Sequence, residues 1–313
     1  MTAKRKRSFK KYNKKEREDI YQTITDQVIE AMQDAEGWKQ TWTGDSQFPS
    51  NARTGKLYNG INTLLLFIAS HKRGCKNQWI TFKQAKELGE GVHVKKGSKS
   101  EKIVFYKQYE KEITNDAGEK ETKETFTIQW SHVFSVSDLE GLTQEQVEEF
   151  EQEERHLEAQ KLIDDMGLEL RSGSPSYTPS KDFIRMPESS AFQSLDAYYT
   201  TYLHELSHAT GHEKRCDREM SGTFGKPSYA REELIAELSS AFLSKKCGLN
   251  SEVENHASYL NSWIKILKED KRAIFKASSQ ARKASDYIIE NSIKMEQERE
   301  KKRESTQEEE YSL

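Results

Sequence analysis

The sequence has few cysteines, and their spacing argues against crosslinks and thiolate metal sites. Only three occur in 313 residues, namely Cys75, Cys216 and Cys247, and they lie far apart with no C-x-x-C pair. Disulfide frameworks and cysteine-based zinc sites both rely on paired or regularly spaced cysteines. We therefore expect three ordinary thiols in a reducing compartment.

Long hydrophobic stretches are also absent. A membrane-spanning helix needs about 20 predominantly apolar residues, whereas the longest apolar patch here is the segment 64–69. The N-terminus begins with the basic run 4–7 and lacks the hydrophobic region of a secretory signal. These absences predict a cytoplasmic protein with no membrane partner.

Charge is abundant but unevenly distributed. The formal net charge is −3, yet residues 1–136 carry 25 Lys and Arg against 17 Asp and Glu, a balance of +8. Residues 137–170 carry 2 against 12, a balance of −10, and the remainder carries 22 against 23. A basic part, an acidic part and a neutral part indicate separate structural units.

Hydrophobic periodicity and turn residues predict an α+β protein with two domains. A small α+β domain comes first, and a mostly helical domain follows. The expected units are a basic disordered arm (1–17), the first domain (18–136), an acidic helical connector (137–172), the second domain (173–291) and a charged tail (292–313). Within them we expect a hairpin whose tip is the charged insert 108–124 and, near the C-terminus, one long helix over 255–291.

The stretch 198–212 contains the motif H-E-x-x-H, formed by His204, Glu205 and His208. Residues four apart lie on one helix face, so the two imidazoles can converge on a single metal ion. Glu205 lies beside that point and suits a general base that acts on a metal-bound water. Ser194 can cap the helix and Gly211 can end it. The motif predicts a zinc site, in which manganese or cobalt could replace zinc.

A third ligand is expected on a downstream helix. Glu233 and Glu237 are four residues apart and therefore point the same way. A thermolysin-like zincin takes a Glu ligand from a second helix and uses an acid one turn later to steady a ligand histidine. We favour Glu233 as ligand and Glu237 as its support, with the reverse assignment left open. His212 is a weaker rival, because the helix is expected to bend at Gly211.

Aromatic and basic residues alternate in the first domain. Rings that stack on bases and cations that pair with phosphates are how proteins hold single-stranded nucleic acid. Most such rings in a small domain instead fill its core. The residues we select as nucleic-acid candidates are Arg53, Lys56, Tyr58, Trp79 and Lys83.

Several of these segments together resemble one protein family. The segments 49–62, 79–85, 133–136 and 140–142 are similar to the N-terminal single-strand-binding domain of ArdC-type antirestriction proteins. The motif segment 204–212, combined with 229–237 and the stretch 259–288, resembles the metallopeptidase half of that family. Related N-terminal domains occur in TraC-type conjugative primases. The charged insert 108–124 and the acidic connector have no counterpart in the pattern.

The resemblance implies a protein of a plasmid, phage or integrative element that binds single-stranded DNA and shields incoming DNA from host restriction. Its second half is implied to be a zincin-like metallopeptidase domain, whose protein substrate could be a host restriction subunit. Two alternatives stay open. The metal site could be structural or inactive in a DNA-binding protein, or the protein could be a regulatory protease that cleaves a repressor or another host protein.

Overall fold

The computed structural model describes most of the chain on both sides of residues 142–151. The described residues are 19–34, 38, 48–88, 91–114, 120–141, 152–220, 226–249 and 257–311. Helices and strands are both extensive, with a strand-rich first part and a helical second part. The predicted α+β class is confirmed. The arm predicted over 1–17 lies outside the described residues.

In its described residues, the first part places two helices and a short third one around a four-stranded sheet. Its elements are α1 (Ile20–Gln33), β1 (Ser50–Asn51), α2 (Ile61–Arg73), β2 (Gln78–Thr81), α3 (Phe82–Lys86), β3 (His93–Val94), β4 (Glu101–Thr114), β5 (Lys120–Ser135) and β6 (Leu139–Glu140). The sheet order is β1-β2-β5-β4, while β3 and β6 form a separate pair. The β2-to-α3 turn is a capping box, in which Thr81 and Gln84 satisfy each other's backbone amides.

Strands β4 and β5 form one long antiparallel hairpin. Their pairing runs from Glu101 opposite Val133 to Thr114 opposite Lys120. The prediction of a hairpin is confirmed, but much of the charged insert 108–124 is paired strand rather than tip. The sequence did not indicate this because the segment is rich in charged residues and lacks the apolar alternation that predicts a strand.

The second part is a helical bundle with a small sheet. Its elements are α4 (Gln152–Asp165), β7 (Glu169–Ser172), β8 (Ser176–Thr178), β9 (Phe183–Met186), α5 (Leu195–Ala209), α6 (Pro227–Lys246), α7 (Ala257–Glu269) and α8 (Ala273–Tyr311). Strand β9 lies between β7, which is parallel to it, and β8, which is antiparallel.

The segment predicted as a connector belongs largely to this second part. Helix α4 buries Ala159, Leu162 and Ile163 in the same hydrophobic cluster as residues of α5. Strand β7, which ends at Ser172, pairs with β9. The modest apolar face of α4 is therefore enough for it to pack against α5. The predicted boundary between residues 172 and 173 would separate β7 from the other two strands of the small sheet.

The single helix expected over 255–291 is two helices. The chain turns at Asp270, whose carboxylate accepts a hydrogen bond from the amide of Arg272 at 2.8 Å and ends the run. Helix α8 then continues to Tyr311, through most of the expected tail. Ser292 is buried there and donates a hydrogen bond to Asp165 at 2.6 Å, and Arg299 pairs with the same carboxylate.

One hydrophobic core joins the two parts. Ile24 and Val28 of α1 and Phe67 of α2 pack in the same cluster as residues of α6, α7 and α8. The buried members from the second part include Leu234, Phe242, Trp263 and Ile274. The basic first stretch and the neutral last stretch of the sequence thus share one hydrophobic cluster.

Within the described residues, every helix is too short or too polar to cross a lipid bilayer.

Candidate metal centre and nucleic-acid surface

Helix α5 carries the H-E-x-x-H motif as the sequence predicts. Ser194 caps it by accepting a hydrogen bond from the amide of Ala197 at 3.0 Å, and the turn that follows begins at Thr210. Leu203 and Leu206 are buried on its inner side. This packing turns the opposite pair, His204 and His208, toward helix α6.

Helix α6 presents three carboxylates to those histidines. It begins with Pro227 at its first position, where the missing amide costs nothing. Glu232, Glu233 and Glu237 are all buried in the contact with α5. Carboxylates are rarely buried unless they are paired, so this is a built polar site rather than a solvated acidic face.

His204, His208 and Glu233 converge on one point. The Nε2 atoms of the two histidines lie 3.1 Å apart, and each of them lies 3.6 Å from an oxygen of Glu233. Tetrahedral zinc with bonds of about 2.0–2.1 Å requires ligand atoms about 3.3 Å apart. Among the described residues, these three form a group that could hold a metal ion.

Glu237 faces the other nitrogen of His204. Its Oε2 lies 3.5 Å from Nδ1 of that ring, whereas Glu233 faces Nε2. The two carboxylates therefore contact different nitrogens of His204, a difference that their four-residue spacing in the sequence did not show. It favours Glu233 as the ligand and Glu237 as the group that orients His204. His212 points elsewhere and accepts a hydrogen bond from the amide of Lys214 at 3.2 Å.

A fourth carboxylate contact was missed in the sequence. Glu232 Oε1 lies 3.3 Å from Nδ1 of His208, and Arg218 forms an ion pair with Glu232 at 2.6 Å. The position of Glu232 beside Glu233 on a helix was a usable signal. Arg218 gave none, because it lies in the irregular loop after α5.

The carboxylates outweigh burial in setting the charge of the histidines. Burial lowers the pKa of His208, but contacts with Glu232 and Glu233 raise it to about 9. His204 behaves alike: burial lowers its pKa, while Glu233 and Glu237 raise it well above the ordinary value. The metal-free site therefore holds protons that a metal ion must displace.

Glu205 lies next to the first ligand position. Only 8% of the residue is exposed, and its negative charge helps to raise the pKa of His204. A carboxylate that is close to the metal position but outside the ligand group can exchange a proton with a bound water. This is the position that the sequence predicts for a general base.

Tyr229 places its hydroxyl group in contact with Glu233. Burial raises its pKa, and contacts with Tyr259 and Glu233 raise it further. Its hydroxyl oxygen lies 3.2 Å from that of Tyr259. The Glu233 carboxylate thus lies beside a phenol that stays protonated.

Of the nucleic-acid candidates, Trp79 is wrong as a stacking residue. Its ring is 0% exposed, and its indole nitrogen donates to Asn77 at 2.6 Å. Strand β2 runs between two packed faces, so Trp79 serves the core. Tyr58 is half-buried against the same cluster.

The basic candidates Arg53, Lys56 and Lys83 are exposed. Arg53 forms an ion pair with Glu87, which reduces the charge it can offer to a phosphate. Exposure leaves these three side chains as candidates for phosphate contacts.

Two aromatic rings outside the selected candidates lie together where α3 meets strand β5. Phe82 is 52% exposed, its ring centre lies 6.3 Å from that of Phe134, and Lys86 lies over it at 4.8 Å. His132 follows on the same face of β5 at two-residue spacing and is exposed. Lys102 pairs opposite it. We call Phe82, Lys86, Lys102, His132 and Phe134 the aromatic face.

Two family models match separate stretches of the chain. Residues 18–136 match the "N-terminal domain of anti-restriction factor ArdC", and residues 157–280 match "Zincin-like metallopeptidase". The two stretches correspond to the part with the aromatic face and the part with the histidine pair.

Similar proteins of known name include a plasmid protein of solved structure. The metal-free crystal structure of the antirestriction protein ArdC from plasmid R388 is 33% identical, with a TM-score of 0.73 over 88% of this chain and 98% of that one. Its Mn(II)-bound structure gives 32% identity and a TM-score of 0.69 over the same shares.

Curated relatives cover the same region. Uncharacterized protein y4eC of Sinorhizobium fredii is 33% identical over 86% of this chain and 91% of its own length. The DNA primase TraC of Escherichia coli is 32% identical over 86% of this chain. The chain spans only 27% of that primase, so the activity of the whole primase is not transferred to it.

Proposed function

This chain belongs to the ArdC family of antirestriction proteins, and on that premise we propose that it protects incoming DNA from host restriction. Its first part would bind the DNA as a single strand. Its second part would be a metallopeptidase that uses zinc. We place its action in the cytoplasm, where entering DNA meets restriction enzymes.

The convergence of His204, His208 and Glu233 is the observation that carries the metallopeptidase proposal. Two imidazoles and one carboxylate are the ligand set of a catalytic zinc that keeps an open position. The distances between their ligand atoms suit such an ion. The Mn(II)-bound relative supports a divalent metal at this kind of site. We propose zinc as the native metal, with manganese or cobalt able to replace it.

A bound divalent metal would supply Lewis acidity toward a peptide carbonyl and toward water. Glu205 would accept a proton from the attacking water and later deliver it to the leaving amine. Glu237 and Glu232 would keep the two imidazoles oriented through their Nδ1 atoms. Burial of these groups would exclude competing solvent.

The aromatic face supports the proposal of single-stranded DNA binding. Unpaired bases expose their faces to stacking, and each stacked base contributes about 1–3 kcal/mol. Phe82 and Phe134 offer two neighbouring rings. Lys86 and Lys102 place positive charge beside them, Lys102 with its ammonium group 5.1 Å from the centre of the Trp130 ring. Bases in a duplex are already stacked on each other, so this face would favour single strands.

Glu205→Gln in the full-length protein tests whether hydrolysis serves antirestriction. The amide keeps the size of the side chain but cannot act as a base, so metal content and folding are expected to stay unchanged. Protection of an unmodified plasmid that enters a restricting host is expected to fall to the level without the protein. If protection persists in full, the peptidase part of the proposal is overturned and the site is structural.

Binding of fluorescent DNA to the full-length protein tests the first part. Single-stranded oligonucleotides are expected to bind more tightly than the matching duplex. Their affinity is expected to fall as salt rises, because phosphate contacts release counterions. A preference for duplex would contradict the assignment.

A further inference from the structure

The loop after α5 carries a buried arginine that reaches three neighbours of the metal centre. Only 5% of the Arg218 side chain is exposed. Its Nε donates to Glu232 Oε2 at 2.9 Å, its Nη1 to Thr210 Oγ1 at 2.7 Å and its Nη2 to the Ser207 carbonyl at 2.9 Å. A second bond joins Nη2 to Glu232 Oε1 at 2.6 Å. The fork geometry of arginine is thus used on both helices.

Glu232 connects Arg218 to His208, one of the proposed metal ligands. The oxygen that accepts from Arg218 Nη2 also lies 3.3 Å from Nδ1 of His208. When the imidazole donates its Nδ1–H to this carboxylate, the lone pair of Nε2 is directed to the metal position. Arg218 therefore acts on His208 through one intervening carboxylate.

The same arginine fixes the spacing of the two ligand helices. Ser207 and Thr210 lie at the end of α5, whereas Glu232 precedes the ligand Glu233 on α6. Four hydrogen bonds from one planar group hold these segments together. A shift of α6 along α5 would break them and move Glu233 away from the histidines.

Gly211 lets the loop approach closely enough for this contact. A side chain there would place its Cβ 2.7 Å from Met220 Sδ and 3.0 Å from Arg218 Nη2. The flexible Met220 side chain could move away, but Arg218 is held by its hydrogen bonds, so a side chain at position 211 would press on the arginine. The glycine after the motif thus has a packing role beyond ending the helix.

We propose that Arg218 is a positioning residue of the metal centre, which orients His208 through Glu232 and sets the register of α5 against α6. This inference rests on the proposed metal site. It assigns a function to the loop that follows the motif and predicts that metal affinity depends on a residue that never touches the metal.

Arg215 provides a matched control from the same loop. It too is largely buried, and it pairs with Asp182 and donates to the Ala209 carbonyl at 2.6 Å and to Tyr177 at 3.1 Å. None of these three partners belongs to the metal group. Loss of Arg215 should therefore loosen the loop without releasing Glu232.

The test compares Arg218→Ala, Glu232→Gln and Arg215→Ala in the full-length protein after removal of metal. Zinc affinity is measured by competition with a chromophoric chelator, and cobalt(II) absorption reports the coordination geometry. Arg218→Ala and Glu232→Gln are expected to weaken zinc binding by about 10–100-fold and to alter the cobalt spectrum. Arg215→Ala is expected to lower thermal stability while the folded protein keeps the zinc affinity and cobalt spectrum of the wild type.

The proposal is overturned if Arg218→Ala binds zinc like the wild type, or if Arg215→Ala loses affinity equally. Should Arg218→Ala fail to fold, Arg218→Lys replaces it, because lysine keeps the charge but lacks the fork. Wild-type affinity in Arg218→Lys and Glu232→Gln together would then overturn the proposal. A wild-type protein that binds no zinc, manganese or cobalt would overturn the metal site itself, which separates the two failures.

Discussion

Glu232 and Glu233 are consecutive in the sequence, yet they contact opposite nitrogens of one imidazole. Glu232 Oε1 lies 3.3 Å from Nδ1 of His208, and Glu233 Oε1 lies 3.6 Å from Nε2 of the same ring. His208 is therefore held between two carboxylates with different duties. One can share a metal with it, and the other can only set its orientation.

The two kinds of carboxylate should differ in their effect on metal content. Glu233→Ala removes a ligand and is expected to abolish stoichiometric zinc binding. Glu237→Gln removes only the support of His204 and is expected to weaken zinc by about 10–100-fold. Glu213→Ala, at an exposed acid just after the motif, is the control and should bind zinc normally. Metal analysis after dialysis measures all three, and a larger loss in Glu237→Gln would reverse the ligand assignment.

Zinc binding should strengthen as pH rises toward about 9. The metal-free protein keeps His208 protonated because its neighbouring carboxylates raise the pKa from 6.5 to about 9. Zinc must displace that proton, so binding at neutral pH is expected to release protons. Calorimetry in two buffers with different ionisation enthalpies measures the release. Identical observed heats of zinc binding in the two buffers would contradict it.

The same pKa predicts how the metal-free protein responds to pH. A histidine whose pKa is raised on folding stabilises the folded state most below its unfolded pKa of 6.5. That contribution is lost as pH rises through about 9. Thermal unfolding of the metal-free protein should therefore show a decline over this window, which saturating zinc removes.

Sequence reasoning reached the motif helix because its signals are local. Ser194, the apolar spacing and the four-residue separation of the histidines all lie within one helix. The choice between Glu233 and Glu237 could not be made in this way. Both point the same way on α6, and only the packing of α6 on α5 decides which nitrogen of His204 each one meets.

The burial of Trp79 could not be predicted for a related reason. Trp79 and Phe82 are three residues apart and equally aromatic, but a buried strand contains the first and an exposed helix start contains the second. Burial depends on what covers each face of the sheet, which is decided by distant segments such as α2. Composition alone could not tell the buried ring of Trp79 from the exposed ring of Phe82.

Loss of the ring pair should weaken binding of single-stranded DNA. Phe82→Ala and Phe134→Ala are each expected to lose about 1–3 kcal/mol of binding free energy per base that stacks on the ring. Phe105→Ala is the control, because Phe105 is also exposed but alternation along β4 directs it to the opposite face of the sheet. Fluorescence anisotropy in constant salt measures the three affinities, and an equal loss in Phe105→Ala would remove the aromatic face as the binding site.

Trp79→Ala should act on stability instead. Removal of a fully buried large aromatic side chain costs about 3–5 kcal/mol of unfolding free energy. Chemical denaturation is expected to show this loss, while DNA affinity of the folded protein stays near that of the wild type. Strongly reduced DNA affinity without loss of stability would restore Trp79 as a contact residue.

The end of α8 should contribute to stability although it is highly charged. Asp165 has a fully buried side chain that is paired with Arg299 and accepts from Ser292. Arg299→Ala leaves a buried carboxylate with fewer partners, which costs about 1–3 kcal/mol. Arg303→Ala, an exposed site further along the same helix, should have little effect in thermal unfolding. Equal stability of both variants would mean that this end of α8 adds nothing to stability, as expected for the charged tail predicted from composition.

The hydrophobic core shared by α1, α2, α6, α7 and α8 makes the covalent link between the two parts dispensable for holding them together. A single backbone cut within 142–151 would leave the apolar surfaces of Phe67 and Trp263 buried in the same cluster. Two fragments made this way would co-purify as a tight heterodimer, and each alone would expose that surface to water.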